Sequence, residues 1–524
     1  MSAISEETSS LLRSPLWKRK NTFLLCLCAV FAWGLLAHAY GFLHCSLSHD
    51  LLNAFLAGET EERAKISVGR FLVPLYRRFF RNAVSLPWLI GILGMGWTAI
   101  AVFLVNMLFE VRSKTVTVLI AGIMTTNISY ISQIAAYHHE FDPNALSLAL
   151  SVLAVVLWNA HRGLPAFLVG CLSITASLGL YQGFIAVSVT LMIGVSLRDL
   201  LEKRSAGDVF RHGLLGIAQL LLGCALYLAL QKLVCAVTGV AGQPRADLLA
   251  VENPAALYAG LLKNGLYFSV SHLFHPAYGS RLLPLAALAL TAALLLTTAW
   301  FFRAQKYGPA RFLLALALLC AMPFAMVCIY FGARGQNVHD IMVYALWFFY
   351  VFLLLLAFRL FRLHPTRLTR TLRAAVCLLL VCLIWSNAVL ANTCYIKKET
   401  EAASALSTMT RVLSDMERQE EYAYRRTPVA FVGVFDGGEH PFEYTGVRNI
   451  TGVVCDTSLW GDETTPYYNT YAAYFRYVLQ YPIRLCEDGQ RARLASDPRV
   501  REMPAFPSRG YIQTLDGVLV VKLA

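Results

Sequence analysis

Charge is what this sequence has least of. Only 15% of its 524 residues are charged and 57% are hydrophobic, whereas a soluble globular domain carries roughly 25% charged residues. That balance excludes a cytosolic enzyme, a secreted domain and a disordered scaffold. Cysteine spacing suited to a metal is also missing. Of the 13 cysteines, Cys26, Cys28, Cys171, Cys224, Cys320, Cys328, Cys377 and Cys382 fall inside apolar runs, where cysteine behaves as a small hydrophobe. The glycine-rich loops that cradle nucleotide phosphates are absent, so no nucleotide cofactor is expected. No internal repeat or low-complexity tract occurs, and no cleavage site for a removable signal peptide follows Arg13 and Lys18-Arg19-Lys20.

What is present is a series of long apolar runs. They begin with Thr22 to Leu43 and continue at about 86–108, 115–135, 142–160, 165–179, 183–197, 211–236, 282–301, 310–331, 340–360 and 372–392. A helix of about 20 such residues crosses a bilayer, so the fold class expected is a polytopic α-helical membrane protein with about eleven spans. The fifth and sixth runs are short and read equally as one broken or re-entrant element, which is tolerated where it lines a cavity.

Basic residues supply the orientation. The formal net charge is +13, but from Cys394 onward 15 basic residues face 17 acidic ones, so the excess belongs to the membrane part. Nucleic acid is therefore not an expected partner. With a cytoplasmic N-terminus, the inside segments hold Arg13, Lys18, Arg19, Lys20, Arg112, Lys114, Arg162 and three later basic clusters. The short outside connections near 136–142, 179–183 and 332–339 hold only Arg334. The positive-inside rule thus puts residues 1–21 in the cytoplasm, a transmembrane domain at 22–393 and an extracytoplasmic domain at 394–524. One cluster breaks the rule: Arg63, Lys65, Arg70, Arg77, Arg78 and Arg81 lie in the first outer loop, 44–85. Leu51–Phe55 and Val68–Phe80 in that loop read as short amphipathic helices at the bilayer surface. The other long outer loop, 237–281, reads as punctuated by Asn253-Pro254 and His275-Pro276. In the tail, Glu399–Tyr424 has a helical pattern, while Pro428–Val434 and Gly517–Lys522 read as strands. A small α/β domain is expected there, and Cys455 and Cys486 form a disulfide if it faces an oxidising compartment.

Polar groups collect on that one outer face. His49-Asp50 follows the first span, and His138-His139-Glu140-Phe141-Asp142 joins the third and fourth. Tyr181-Gln182 separates the fifth and sixth, and Arg334, Gln336, His339 and Asp340 join the ninth and tenth. Each has a plain structural reading as well. Asp50 can cap a helix starting at Leu51, and Glu140 and Asp142 can form a solvated turn with Asp142 capping the next helix. Tyr181-Gln182 can be interhelical hydrogen-bond glue, and Arg334 can snorkel. Their convergence matters more than any member, because independent caps need not share a face. The set suits sugar transfer at a membrane surface. A carboxylate takes the proton of an attacking hydroxyl, and cations stabilise charge on a departing phosphate, a task for which the arginine fork is shaped. A lipid-phosphate donor fits both the face and the membrane.

Four stretches, HDLLNAFLAGETEERAKISVGRFLVPLYRRFF, EFDPNALSLALSVLAVVL, SLGLYQGFIAVSVTLMIG and ARGQNVHDIMVYALWFFYVFLLLL, carry a resemblance to a known family. With Gly69-Arg70 and the LYQGF of Leu180–Phe184 as the most characteristic pieces, the chain resembles the serotype-converting glucosyltransferases of bacterial surface polysaccharide modification, over about residues 20–395. The resemblance implies a GT-C-like enzyme of the bacterial inner membrane with an outward-facing site. It implies a polyprenyl-phosphate sugar donor, commonly of glucose, and a surface glycan acceptor, with a donor-synthesising enzyme and a flippase upstream. Asp50 matches the first-loop catalytic base, with Glu59, Glu61 and Glu62 as fallbacks. Glu140 and Asp142 match a second acidic motif that in the wider class sometimes binds a divalent ion such as Mg or Mn.

The expected reaction is an inverting transfer. Asp50 is the base, and Glu140 and Asp142 are catalytic or metal-binding. His49, Lys65, Arg70, Arg77, His138, His139, Tyr181, Gln182, Arg334 and His339 bind substrate. The rival expectations are a flippase or transporter of lipid-linked sugars, and a glycan polymerase or ligase.

Overall fold

A computed structural model describes residues 19–44, 47–54, 58–82, 84–160, 163–202, 204–242, 254–274, 282–305, 307–333, 338–435, 460–461 and 466–523. The chain is mostly helical. Ten described helices are long and apolar enough to cross a membrane, or eleven if one bent pair counts as a span. The first is α1 (Lys20–Leu43), about 36 Å long at 1.5 Å per residue. Three short helices follow, α2 (His49–Asn53), α3 (Glu59–Ser67) and α4 (Leu72–Phe80), then the long α5 (Pro87–Leu108). The sequence pattern anticipates α2 and α4, whereas α3 is an additional helix. Its charges hide it from an apolar-periodicity reading.

The expected third span is broken. Helices α6 (Lys114–Thr126) and α7 (Ile128–Ala136) meet at Asn127 with a bend of 42°. A break inside a membrane strands carbonyl and amide groups, each costly to leave unpaired. Asn127 repairs both sides of it. Its Oδ1 accepts from Tyr130 N at 3.0 Å, and its Nδ2 donates to the carbonyls of Ile123 and Met124, each at 3.0 Å. Tyr344 Oη donates to the same Met124 carbonyl at 2.5 Å.

Beyond the break, a 3-10 turn at His138–Glu140 leads into α8 (Phe141–Asn159), and α9 (Gly163–Leu180) packs beside it. The fifth and sixth apolar runs are two separate helices. Tyr181 is extended and Gln182–Phe184 forms a 3-10 turn before α10 (Ile185–Leu201). Next comes α11 (Ala206–Thr238). The region expected as a punctuated outer loop then holds a 21-residue helix, α12 (Pro254–Phe274). Its prolines bracket the helix instead of interrupting it, Pro254 taking the first helical position where its missing N–H costs nothing.

Helices α13 (Leu282–Ala304), α14 (Pro309–Met326), α15 (Cys328–Gly332) and α16 (Phe348–Leu363) complete the bundle before α17. That last helix runs unbroken from Arg367 to Glu417, 51 residues. The domain boundary expected at 394 therefore falls inside one rod, because no proline or glycine occurs anywhere along it.

After α17 the chain forms a four-stranded sheet in the order β2-β1-β4-β3. Strand β1 (Pro428–Val432) pairs in parallel with β2 (Arg484–Leu485) and β4 (Val518–Lys522), and β3 (Ile512–Leu515) is antiparallel to β4. Asp516 and Gly517, both with positive φ, make the two-residue hairpin turn. Helices α18 (Tyr468–Tyr477), α19 (Asp488–Ser496) and α20 (Pro498–Glu502) surround the sheet. Cys455, the expected partner of Cys486, lies outside the described residues. The core on one face of the sheet, with Phe431, Trp460, Tyr471 and Tyr474, also takes in Leu52 from α2 and Met409 and Met416 from α17. This packing ties the first loop to the C-terminal portion.

Because Asn127 satisfies both halves of the broken span, Asn127→Ala is expected to cost about 1–3 kcal/mol. Thermal unfolding of the purified protein in detergent should show a lower midpoint. Thr410→Ala, at an exposed position on α17, should leave the midpoint unchanged.

Candidate active site

The first loop folds back over the start of α8 and the turn between α9 and α10. Gly69 makes that return possible. Its φ is +86°, and a Cβ there would stand 2.2 Å from Tyr227 Oη and 2.8 Å from Gln182 Nε2. Gln182 Nε2 donates to the Val68 carbonyl at 2.8 Å and to Tyr227 Oη at 3.1 Å. Residues 68–70 are thereby pinned, and Arg70 is delivered to Glu140 with its guanidinium 4.8 Å from the centre of the Tyr181 ring.

Most of the cations that broke the topology rule find carboxylates here. Glu140, 1% exposed, is ion-paired with both Arg70 and Lys65. Glu61 lies one turn before Lys65 on α3, 3.4 Å from its ammonium, and takes Arg77 Nη1 at 2.6 Å. On the outside of the same pair of helices, Arg78 meets Glu62 at 2.6 Å. One turn beyond Arg77, Arg81 grips Asp142 with two nitrogens, at 2.9 and 3.3 Å. Arg81 also donates to the carbonyls of His139 and Val84. Asp142 is wholly buried. Glu140 and Asp142 do not form the solvated turn of the plain structural reading but belong to an interior ion-pair network. Its physical reason is the loop's own cations, which offset the cost of desolvating the carboxylates.

The network does not exhaust the donors. Among the described residues, Arg70 Nε, Arg77 Nε and Arg77 Nη2 are buried without a hydrogen-bond partner, as are both ring nitrogens of His139 and both amide atoms of Asn144. Around Glu61 and Glu140, three cations (Lys65, Arg70 and Arg77) meet two carboxylates, leaving a local surplus of positive charge. Burial is the largest single influence on Arg70 and opposes its charge, but Glu140, Tyr181, Tyr137 and Asp50 together outweigh it, and the guanidinium pKa stands above its ordinary value.

Asp50 lies on the more open side of this cluster. Its side chain is 39% exposed and 3.5 Å from His49 Nε2. It does not cap the helix after it. Ser48 does, accepting from Leu51 N while its hydroxyl donates to the Ala136 carbonyl at 2.8 Å. Asp50 is thus left open to other work. It faces the half-buried Tyr137 phenol, whose pKa is raised by burial first and then by Asp50 and Glu140. His49 stacks on Tyr467 from the C-terminal portion, ring centres 4.1 Å apart.

The other expected residues scatter. His138 is buried and bonds the Pro87 carbonyl at 3.0 Å, which anchors the start of α5. His339 is exposed, and Arg334 and Gln336 lie outside the described residues. Glu59 stands at the start of α3. The pair expected to share a metal, Glu140 and Asp142, answers to different arginines. A closer set of donor groups is Glu61, His139 and Glu140, with ligand atoms within 4.8 Å of one another. Those donor types suit a divalent ion, but the same carboxylates already serve three cations, so the residues fit an anion better.

Sequence reasoning missed Asn144, Tyr137, Tyr467 and a pair formed by His272 Nε2 and Asp340 Oδ1 at 3.1 Å. The spacing from Glu140 to Asn144, one helical turn, was the available signal for the first. His272 sits on α12, where the sequence read as loop.

If Arg81 and Asp142 are a structural pair, Arg81→Leu should prevent stable accumulation by leaving a buried charge, a loss of about 3–5 kcal/mol. The double variant Arg81→Leu/Asp142→Leu should accumulate far better than either single change, as read by membrane-fraction yield and size-exclusion profile.

A family model described as Glucosyl transferase GtrII matches residues 39–358, from the end of α1 through most of α16. No curated protein and no solved structure matches the chain.

Proposed function

Because the chain belongs to the glucosyl transferase GtrII family, we propose that it moves glucose from a polyprenyl-phosphate donor to a glycan acceptor on the outer face of a bacterial inner membrane. The observation that carries this reading is the surplus of buried arginine donors around Glu61 and Glu140. Buried guanidinium N–H groups left unpaired cost about 1–3 kcal/mol or more each, and a phosphate presents the oxygen acceptors that match their fork.

In this account the donor phosphate binds Lys65, Arg70 and Arg77. The acceptor hydroxyl loses its proton to Asp50 and attacks the anomeric carbon from the face opposite the phosphate. A new glycosidic C–O bond forms as the sugar–phosphate C–O bond breaks, and the electron pair leaves on the lipid phosphate, held by the three cations. The anomeric centre inverts. Glu140 and Glu61 orient the cations, and Asp142 holds Arg81 and through it the start of α8. Asn144 and His139, with buried unpaired polar atoms, are suited to the sugar hydroxyls. An apolar cleft of about 370 Å³ between α10, α12, α13, α14 and α16 is suited to the isoprenoid chain. Donor synthesis and its passage across the membrane fall to other proteins.

Two outcomes follow for the purified enzyme with radiolabelled polyprenyl-phosphate glucose and an envelope-glycan extract. Asp50→Asn should insert and accumulate normally while transfer falls about 10²–10⁴-fold, the usual contribution of a general base. Undiminished transfer would remove Asp50 from the role. Because the cationic cluster does the work of charge stabilisation, a chelator should leave the wild-type rate unchanged, and restoration by added Mg or Mn after chelation would contradict this. Label that crosses the bilayer yet stays on its lipid would favour the transporter reading. Joining of preassembled chains would favour a polymerase or ligase.

A further inference from the structure

The helices that end at the candidate active site also have opposite ends, and a second polar cavity lies there. It measures about 300 Å³ and sits between the first turns of α1 and α6 and the last turns of α5 and α8. Arg19, Arg112 and Lys114 line it with Glu110, the one acid there among the described residues, and with Asn21 and Asn159 in its polar wall. Leu25, Phe103 and Val156 make the wall facing the helix interiors. The cavity is therefore cationic on one side and apolar on the other.

Basic residues at helix ends often serve only to neutralise helix dipoles, but here another residue already does so. Arg198, reaching from α10, donates to the Leu108 carbonyl at the end of α5 and to Asn159 Oδ1 at the end of α8. The Asn106 carbonyl takes Val111 N at 2.9 Å. Arg112 and Lys114 are exposed, and neither has a carboxylate within ion-pairing distance among the described residues. Two acids at that end of the bundle are instead each shared by two arginines: Arg198 and Arg204 pair with Asp199, and Arg359 and Arg362 with Glu202. Both helices that begin at the cavity, α1 and α6, lack an acidic residue in the first turn, so their positive ends add to the field.

From this arrangement we infer that the cavity binds a phosphate-bearing anionic headgroup, that of a phospholipid of the phosphatidylglycerol or cardiolipin class. Its phosphate meets Arg112, Lys114 and Arg19, its glycerol meets Asn21 and Asn159, and its acyl chains leave along the Leu25 and Phe103 side. Basic pockets between transmembrane helices take such headgroups, and the cavity lies at the ends of apolar helices, at the depth where headgroups are found. Free phosphate shares the chemistry but has no use for the apolar wall. The site stands apart from the catalytic cluster and does not depend on the activity proposed for it.

The test is thermal unfolding of the full-length protein in detergent, with phosphatidylglycerol, phosphatidylcholine or inorganic phosphate added. A ligand that binds only the folded state raises the midpoint by mass action. Phosphatidylglycerol should raise it by several degrees, and phosphatidylcholine and inorganic phosphate should not. The double variant Arg112→Ala/Lys114→Ala, at exposed positions, should keep the lipid-free midpoint and lose the shift. Arg367→Ala/Arg370→Ala, also exposed and basic but elsewhere, should retain it. An equal shift in the Arg112/Lys114 variant, or no shift in the wild type, would overturn the proposal. Full reproduction of the shift by inorganic phosphate would overturn the phospholipid as its occupant.

Discussion

Everything around the candidate active site depends on one buried carboxylate. Glu140 sits at the start of α8, nearly inaccessible, with Lys65 and Arg70 reaching down to it from the first loop. A lone carboxylate there would face a desolvation penalty of several kcal/mol. The ion pairs offset that penalty, and in doing so fasten α3 and α4 onto the bundle. Arg81, just past the end of α4, repeats the arrangement with Asp142. A loop that would otherwise ride on the bilayer surface becomes a fixed wall. The strain is small because Gly69 absorbs the one turn a side chain could not make.

That wall has two consequences for chemistry. It concentrates more cationic donors than its acids can use, which is the environment a phosphate seeks. It also leaves Asp50 half-exposed at the edge, released from capping by Ser48 and close to Tyr137, with His49 stacked on Tyr467 beside it. The C-terminal portion thus reaches the site through a ring stack and through Leu52, whose burial in the C-terminal core contributes about 1.5–3 kcal/mol. The region outside the family match helps position the residue proposed as the base.

Much of this was legible in the sequence, because in a membrane protein composition and length fix the main elements. The apolar runs correspond to helices. The GR, LYQGF and EFD segments come together in space, with Arg70 in contact with both Tyr181 and Glu140. What stayed hidden has a physical reason in each case. The break at Asn127 lies within a stretch long enough to read as one span, and the hydrogen bonds that repair it are made only in three dimensions. Helix α12 was masked by its flanking prolines, which mark ends as readily as interruptions. The partners of Glu140 and Asp142 lie 61 to 75 positions earlier in the chain, and no local pattern encodes such pairings. The cluster of arginines in the first loop, an anomaly for the expected topology, was the one visible sign that acids elsewhere awaited them.

The most direct measurement is the affinity of the purified protein for polyprenyl phosphate, the sugar-free product, compared between wild type and Arg77→Lys. Lysine preserves the charge opposite Glu61 but removes Nε and Nη2, the two buried nitrogens without a partner among the described residues. If the surplus donors hold the lipid phosphate, affinity falls about tenfold, some 1.4 kcal/mol, with the fold and the thermal midpoint unchanged. Equal affinity in the two proteins would contradict the account, since the phosphate would then be bound elsewhere.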